Sequence, residues 1–102
     1  MESDMVKTVG IDGIISGVAK CYGVTTREIL GESRIKSLVE PRKIASYLIK
    51  KHTFLTYEDI GSYMNRTHAT IIYHCKEIER EINDSPQMAE TLASVERHIF
   101  GK

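Results

Sequence analysis

Apolar residues along the chain recur with a helical period, and almost nowhere do they alternate as a strand would require. Ile11, Ile14, Ile15, Val18, Ala19 and Tyr22 share one face of a helix, and Gly23 follows as a stop. Thr25 stands three residues before Glu28, a capping-box spacing, and opens a short helix through Leu30. Residues 31–40 (GESRIKSLVE) show no clean period and begin with glycine, which predicts a loop carrying basic side chains. Pro41 suits the first turn of the next helix, where a missing N–H loses no partner. Ile44, Ala45, Leu48 and Ile49 form that helix's stripe. Thr56 and Asp59 make a second capping box ahead of Tyr57, Ile60, Gly61 and Met64. After the polar break Asn65-Arg66-Thr67, the series Ile71, Cys75, Ile78 and Ile82 marks a long amphipathic helix. Ser85-Pro86 reads as the cap and first residue of a last helix, striped by Met88, Leu92, Val95 and Ile99. The pattern predicts an all-α domain of six helices over residues 11–102, behind a frayed N-terminus at 1–10.

A chain of 102 residues fits one domain with a modest core and little room for a cofactor cleft. Its 14 basic and 14 acidic side chains balance, whereas a nucleic-acid binder is usually basic. The distribution modifies this picture. Between Gly31 and Thr53 six bases (Arg34, Lys36, Arg42, Lys43, Lys50, Lys51) face two acids, Glu32 and Glu40. From Lys76 onward four bases face six acids. The molecule is thus polarised, with a basic middle and an acidic end. No run approaches the roughly 20 apolar residues of a membrane span, and no signal peptide is visible. The two cysteines, Cys21 and Cys75, lie among apolar neighbours and read as reduced core thiols of a cytoplasmic protein.

A short helix, a three-residue break and a longer helix make residues 56–82 a helix-turn-helix candidate. In that arrangement the first helix braces against the DNA backbone and the N-terminal turn of the second enters the major groove. The turn here is Thr67-His68-Ala69-Thr70, small and polar enough to reach base edges. Spacing alone is weak, since many helix pairs of this kind only pack together.

Longer stretches are more specific. PRKIASYLIKKHTFLTYEDIGSYMNRTHATIIYH and IDGIISGVAKCYGVTTREIL together resemble the C-terminal DNA-binding domain of DnaA, the bacterial chromosomal replication initiator. The likeness covers about residues 11–100. It rests on the Pro-Arg pair opening a helix, the Ile-Gly of the following helix, and the Arg-x-His-x-Thr that opens the recognition helix. The resemblance implies sequence-specific binding of a DnaA-box-like site in duplex DNA, in replication initiation or its regulation. It places Arg34 as an arginine entering the minor groove from a basic loop, with Lys36 as a second basic position. It places Arg42 on backbone or base, Lys50 near the phosphates, and His68 and Thr70 in the major groove. Lys43, Arg66, Thr67, Ala69 and Tyr73 complete the expected DNA-binding set, Tyr73 through phosphate. Ser33 and Ser37 supply hydroxyls suited to phosphate.

Three departures bear on the target. Thr67 stands where the family has aspartate, Ala69 where it has threonine or serine, and Glu40 where a basic residue is frequent, next to the expected phosphate path. The family's ATPase module, with its GxxxxGK[ST] loop, has no counterpart. The chain is therefore expected to be a stand-alone domain or one cut from a larger protein, the MESDMVKTVG start favouring a small natural protein. No nucleotide, cofactor, metal or membrane partner is expected, and no catalytic set is visible. His52, His68, His74 and His98 match no compact zinc spacing. The alternative function is a protein-interaction or regulatory module of the same fold with weak DNA affinity. Its partner would be a replication or transcription protein, and the acids Glu77, Glu79, Glu81 and Asp84 its candidate face.

Overall fold

The computed structural model of the protein describes residues 9–101. Six α-helices follow in order: α1 Ile11–Tyr22, α2 Thr26–Leu30, α3 Val39–His52, α4 Tyr57–Met64, α5 His68–Asp84 and α6 Pro86–Phe100. A single 3-10 turn, Lys36–Leu38, precedes α3, and there is no strand among the described residues. The fold is all-α, as the periodicity requires. The expected fraying of residues 1–8 lies outside the described residues. Val9 packs against the core, and the Gly10 carbonyl accepts from the Ile14 N–H at 3.0 Å.

Local chemistry sets most helix ends. Thr25 and Thr56 each accept from the N–H three residues on, and Glu28 and Asp59 reach back to complete both capping boxes. Ser85 caps α6 with Pro86 in its first turn. Gly23 ends α1 at a left-handed φ of 67°.

Helix α3 runs through the centre, packed on α1, α4 and α5, while α6 closes over α1 and α5. Ile14, Ile15, Ile29, Ile44, Leu48, Ile49, Ile60, Met64, Ile71 and Ile78 have no solvent exposure. Each such side chain contributes about 1.5–3 kcal/mol through burial. At the far end of α3, Lys51 and His52 meet Glu96 of α6 at 2.8 and 2.7 Å, and His52 lies against Phe100. Burial pushes the Glu96 carboxyl up, but the bonds from Lys51 and His52 outweigh it and hold the group below its ordinary range.

Two expectations need correction. The loop predicted over 31–40 ends early, because Lys36–Leu38 turns and α3 begins at Val39 with Pro41 still in its first turn. Leu38 is buried and drives that turn, but one buried residue makes no period. Cys75 is a core thiol whose pKa burial pushes up to about 11, but Cys21 is exposed. It lies on the rim of an open groove between α1 and α6, lined also by Tyr22, Ser94 and His98.

Candidate nucleic-acid interface

The helix-turn-helix is α4, the turn Asn65-Arg66-Thr67 and α5. Asn65 takes a left-handed φ of 60° and donates its N–H to the Ser62 carbonyl, while the Arg66 N–H reaches the Gly61 carbonyl at 2.8 Å. This reverses the chain in a Schellman-type stop. The turn folds back so closely that a Cβ at position 61 would lie 2.5 Å from the Arg66 carbonyl oxygen. Only glycine fits there, which explains the Ile-Gly pair physically.

Thr67 is the N-cap of α5. Its hydroxyl accepts from the Thr70 N–H at 3.3 Å and lies 3.2 Å from the Thr70 hydroxyl. Thr67, His68 and Ala69 are exposed, and Thr70 is half-buried. The first turn of an α-helix leaves N–H groups without internal partners and carries partial positive charge, so this end of α5 suits an anion. Ile71, Cys75 and Ile78 hold one side of α5 in the core, which aims Ala69 outward, while His68 is in register with that stripe and is exposed at the very start of the helix. Tyr73 is 56 % exposed one turn further along, with the Lys43 ammonium 5.8 Å from its ring centre.

The basic loop lies beside this turn. Glu32, Ser33, Arg34, Arg42, Asn65, Arg66 and Thr70 line one open cleft of about 380 Å³. Arg34 and Lys36 are exposed and make neither hydrogen bond nor ion pair with other described side chains. The Ser33 hydroxyl accepts from the Ile35 N–H at 3.3 Å. Ile35 is itself 59 % exposed.

The remaining bases of the expected set are held within the protein. Arg42, expected on the DNA, is 7 % exposed and donates to the carbonyls of Glu28, Ile29, Gly31 and Ser33. Arg66 donates to the Met64 and Gly31 carbonyls, both at 2.7 Å. Burial, and for Arg42 the neighbouring Arg66 charge, lower both guanidinium pKa values from a range so high that both stay charged. Lys43 pairs with Glu77 at 3.7 Å and Glu81 at 4.0 Å. Lys50 donates to the Leu55 carbonyl at 3.2 Å and sits over the Tyr57 ring. Glu40 lies away from the basic loop. It accepts from the Tyr22 hydroxyl and shares a cleft of about 310 Å³ with Glu81 and Asp84 at the far end of α5.

Composition concealed a supporting pair behind the interface. The fully buried Ser46 hydroxyl lies 2.9 Å from the Arg42 carbonyl and 3.0 Å from His74 Nδ1. Since a hydroxyl has one proton, Ser46 donates to the carbonyl and the ring donates to Ser46, which places the imidazole proton on Nδ1. Burial first, then Arg66, Lys43 and Arg42, push the His74 pKa down to about 4. No spacing in the sequence pairs residues 46 and 74. Asn65 is a second residue missed, although asparagine beyond a short helix is a legible left-handed stop. Among the described residues no three acids, histidines or cysteines gather as metal ligands would, and no helix is long and apolar enough to cross a membrane.

A six-helix fold with a tight α4–α5 turn, an outward-facing recognition turn and a basic loop beside it defines a helix-turn-helix domain of the DNA-binding type. The sequence model described as "Bacterial dnaA protein helix-turn-helix" matches residues 11–78. The chain belongs to this DnaA family. It is 38 % identical over 90 residues to the chromosomal replication initiator protein DnaA of Lachnoclostridium phytofermentans, covering 87 % of this chain and 20 % of that protein. Against DnaA of Roseiflexus castenholzii the identity is 29 % over 101 residues, covering 98 % of this chain and 21 % of the relative. For DnaA of Deinococcus radiodurans it is 31 % over 94 residues, covering 92 % and 20 %. The chain thus spans about a fifth of the length of these relatives.

Proposed function

We propose that the domain binds a DnaA-box-like site in duplex DNA, in replication initiation or its regulation. The N-terminal turn of α5 enters the major groove, and Arg34 enters the adjacent minor groove. The observation that carries this reading is the cleft on which the loop and the reading turn meet, with Arg34 on its wall and Lys36 exposed in the same loop, neither paired with another described side chain. Thr67, His68, Ala69 and Thr70 face bases or the nearest phosphates, Lys36 and Tyr73 face phosphates, and Arg42, Lys43, Lys50 and Arg66 brace the surface from within. A narrow A·T-rich minor groove attracts an inserted arginine through its enhanced negative potential. The altered turn adjusts the target: Thr67 lacks the carboxylate that accepts from cytosine N4, and Ala69 keeps a methyl but no hydroxyl.

Selection from a random duplex library, followed by titration of the recovered site at two salt concentrations, tests the proposal. Recovery of an asymmetric site with relaxed discrimination at the one or two pairs facing Thr67 and Ala69 supports it. Recovery of no motif overturns it. That result would favour the second reading, a module that docks a replication or transcription protein. The observation behind that reading is the acidic cleft of Glu40, Glu81 and Asp84 at the opposite end of α5.

A further inference from the structure

We infer that Arg66 and Arg42 are positioning residues that lock the basic loop to the helix-turn-helix, so that loop and recognition helix read DNA as one rigid unit. The inference rests on the DNA-binding reading above and adds to it how the two reading elements keep their register.

Helix α2 has five residues and ends at Gly31 in extended backbone, without the left-handed stop that would satisfy its last carbonyls. Side chains from elsewhere in the chain satisfy them instead. Arg42 of α3 reaches the carbonyls of Glu28 at 2.8 Å, Ile29 at 3.0 Å and Gly31 at 3.0 Å, and also that of Ser33. Arg66 of the turn reaches Gly31 at 2.7 Å, with longer contacts of 3.5 Å to Ile29 and Leu30. Asn65 adds its Nδ2 to Leu30 at 3.3 Å. Every carbonyl from Glu28 to Gly31 therefore accepts from a side chain rooted in α3 or in the turn.

Two guanidinium groups share the Gly31 oxygen, an arrangement that mutual repulsion alone would forbid. The negative ends of α2 and α4 supply the compensating field, since Arg66 also bonds the Met64 carbonyl at the end of α4. Such charge-assisted bonds are roughly twice as strong as neutral ones. Ser33, whose carbonyl Arg42 holds, is the residue immediately before Arg34. The turn that starts the recognition helix is thus bonded to the base of the loop, and displacing one displaces the other. In the sequence these arginines count as two more DNA-facing bases; in the fold they are the ties between two reading elements.

Arg66→Lys tests this, because it keeps the charge but cannot span Gly31 and Met64 together. Base-pair preference is read with single-pair variants of the best duplex. The pairs that Arg34→Ala relaxes define the loop end, and those that His68→Ala relaxes define the helix end. Arg66→Lys is expected to lose about tenfold discrimination at the loop end, the scale of one good base contact, and less than about twofold at the helix end. Adding Arg34→Ala to Arg66→Lys is expected to have less effect than in the native protein. Backbone relaxation of the free protein supplies a second arm: residues 31–36 gain mobility in Arg66→Lys while α5 does not. Equal loss at both ends, or an unchanged profile with an unchanged loop, overturns the proposal. If the native protein prefers no duplex, the DNA-binding reading fails, and the relaxation arm still decides whether Arg66 orders the loop.

Discussion

The imidazole of His74 is kept neutral by its surroundings. Its pKa near 4 lies well below the ordinary 6.5, chiefly through burial. Between those values the unfolded chain binds a proton that the native state refuses, so stability rises with pH there. The contribution is complete above about pH 6.5 and is lost as pH falls toward 4. One pKa unit is about 1.4 kcal/mol, and the part-exposed ring reduces the expected total loss to about 1–2 kcal/mol. Chemical denaturation at pH 7 and pH 4.5 should show a smaller drop for His74→Gln than for the native protein; equal drops would mean the ring titrates normally. Arg34 poses a question of affinity instead. Exposed and without a partner among the described side chains, it should leave stability nearly untouched when removed, yet Arg34→Ala should weaken specific binding by about 1–3 kcal/mol. A well-folded variant with native affinity would remove Arg34 from the interface.

Among the elements, the α4–α5 pair depends on close backbone approach at one end and on a cap at the other. Replacing glycine by alanine inside a helix ordinarily stabilises by about 1 kcal/mol. Here the added carbon meets backbone at 2.5 Å, where no flexible side chain can move aside. Gly61→Ala should therefore destabilise, by about 1–3 kcal/mol, the range for overpacking. A raised urea midpoint would show that the turn is looser than its geometry. Thr67→Asp separates capping from reading. Aspartate caps as well as threonine and suits the helix N-terminus, so stability should stay within about 0.5 kcal/mol. The new carboxylate can accept from cytosine N4, so preference at the facing base pair should change by about 1–3 kcal/mol. Competition among the four base pairs at that position measures it, and an unchanged order would place residue 67 away from bases.

For the molecule as a whole, balanced charge matters less than which charges are engaged. Lys43, Lys51 and Arg80 are paired with acids, and Arg42 and Arg66 with carbonyls. On the proposed reading, Arg34, Lys36 and the start of α5 are the groups of the reading face left for phosphate and groove. DNA affinity should accordingly fall with salt on a shallow slope, about −2 to −4 in log–log form, as a few phosphate contacts would produce. Titrations between 50 and 200 mM salt give the slope directly, and a value near −8 would require the paired lysines to release their partners and face DNA.

Sequence alone determined the six helices, the caps at Gly23, Thr25, Thr56, Thr67 and Ser85, and the recognition turn, because each depends on residues within four positions of one another. The stripes Ile14–Val18 and Ile71–Ile78, the capping pairs Thr25–Glu28 and Thr56–Asp59, and the Ser85-Pro86 start are local devices and are legible as such. Tertiary structure decided what the charged residues do. Arg42 and Arg34 lie in one basic stretch, yet one is buried against carbonyls and the other stands in solvent. The Ser46–His74 pair, the Lys43–Glu77 pair and the Tyr22–Glu40 bond join residues 28, 34 and 18 positions apart. A periodic apolar stripe says which side of a helix is buried, because burial follows from one residue's own chemistry. A polar side chain's role follows from its partner, and only the folded chain brings that partner into reach.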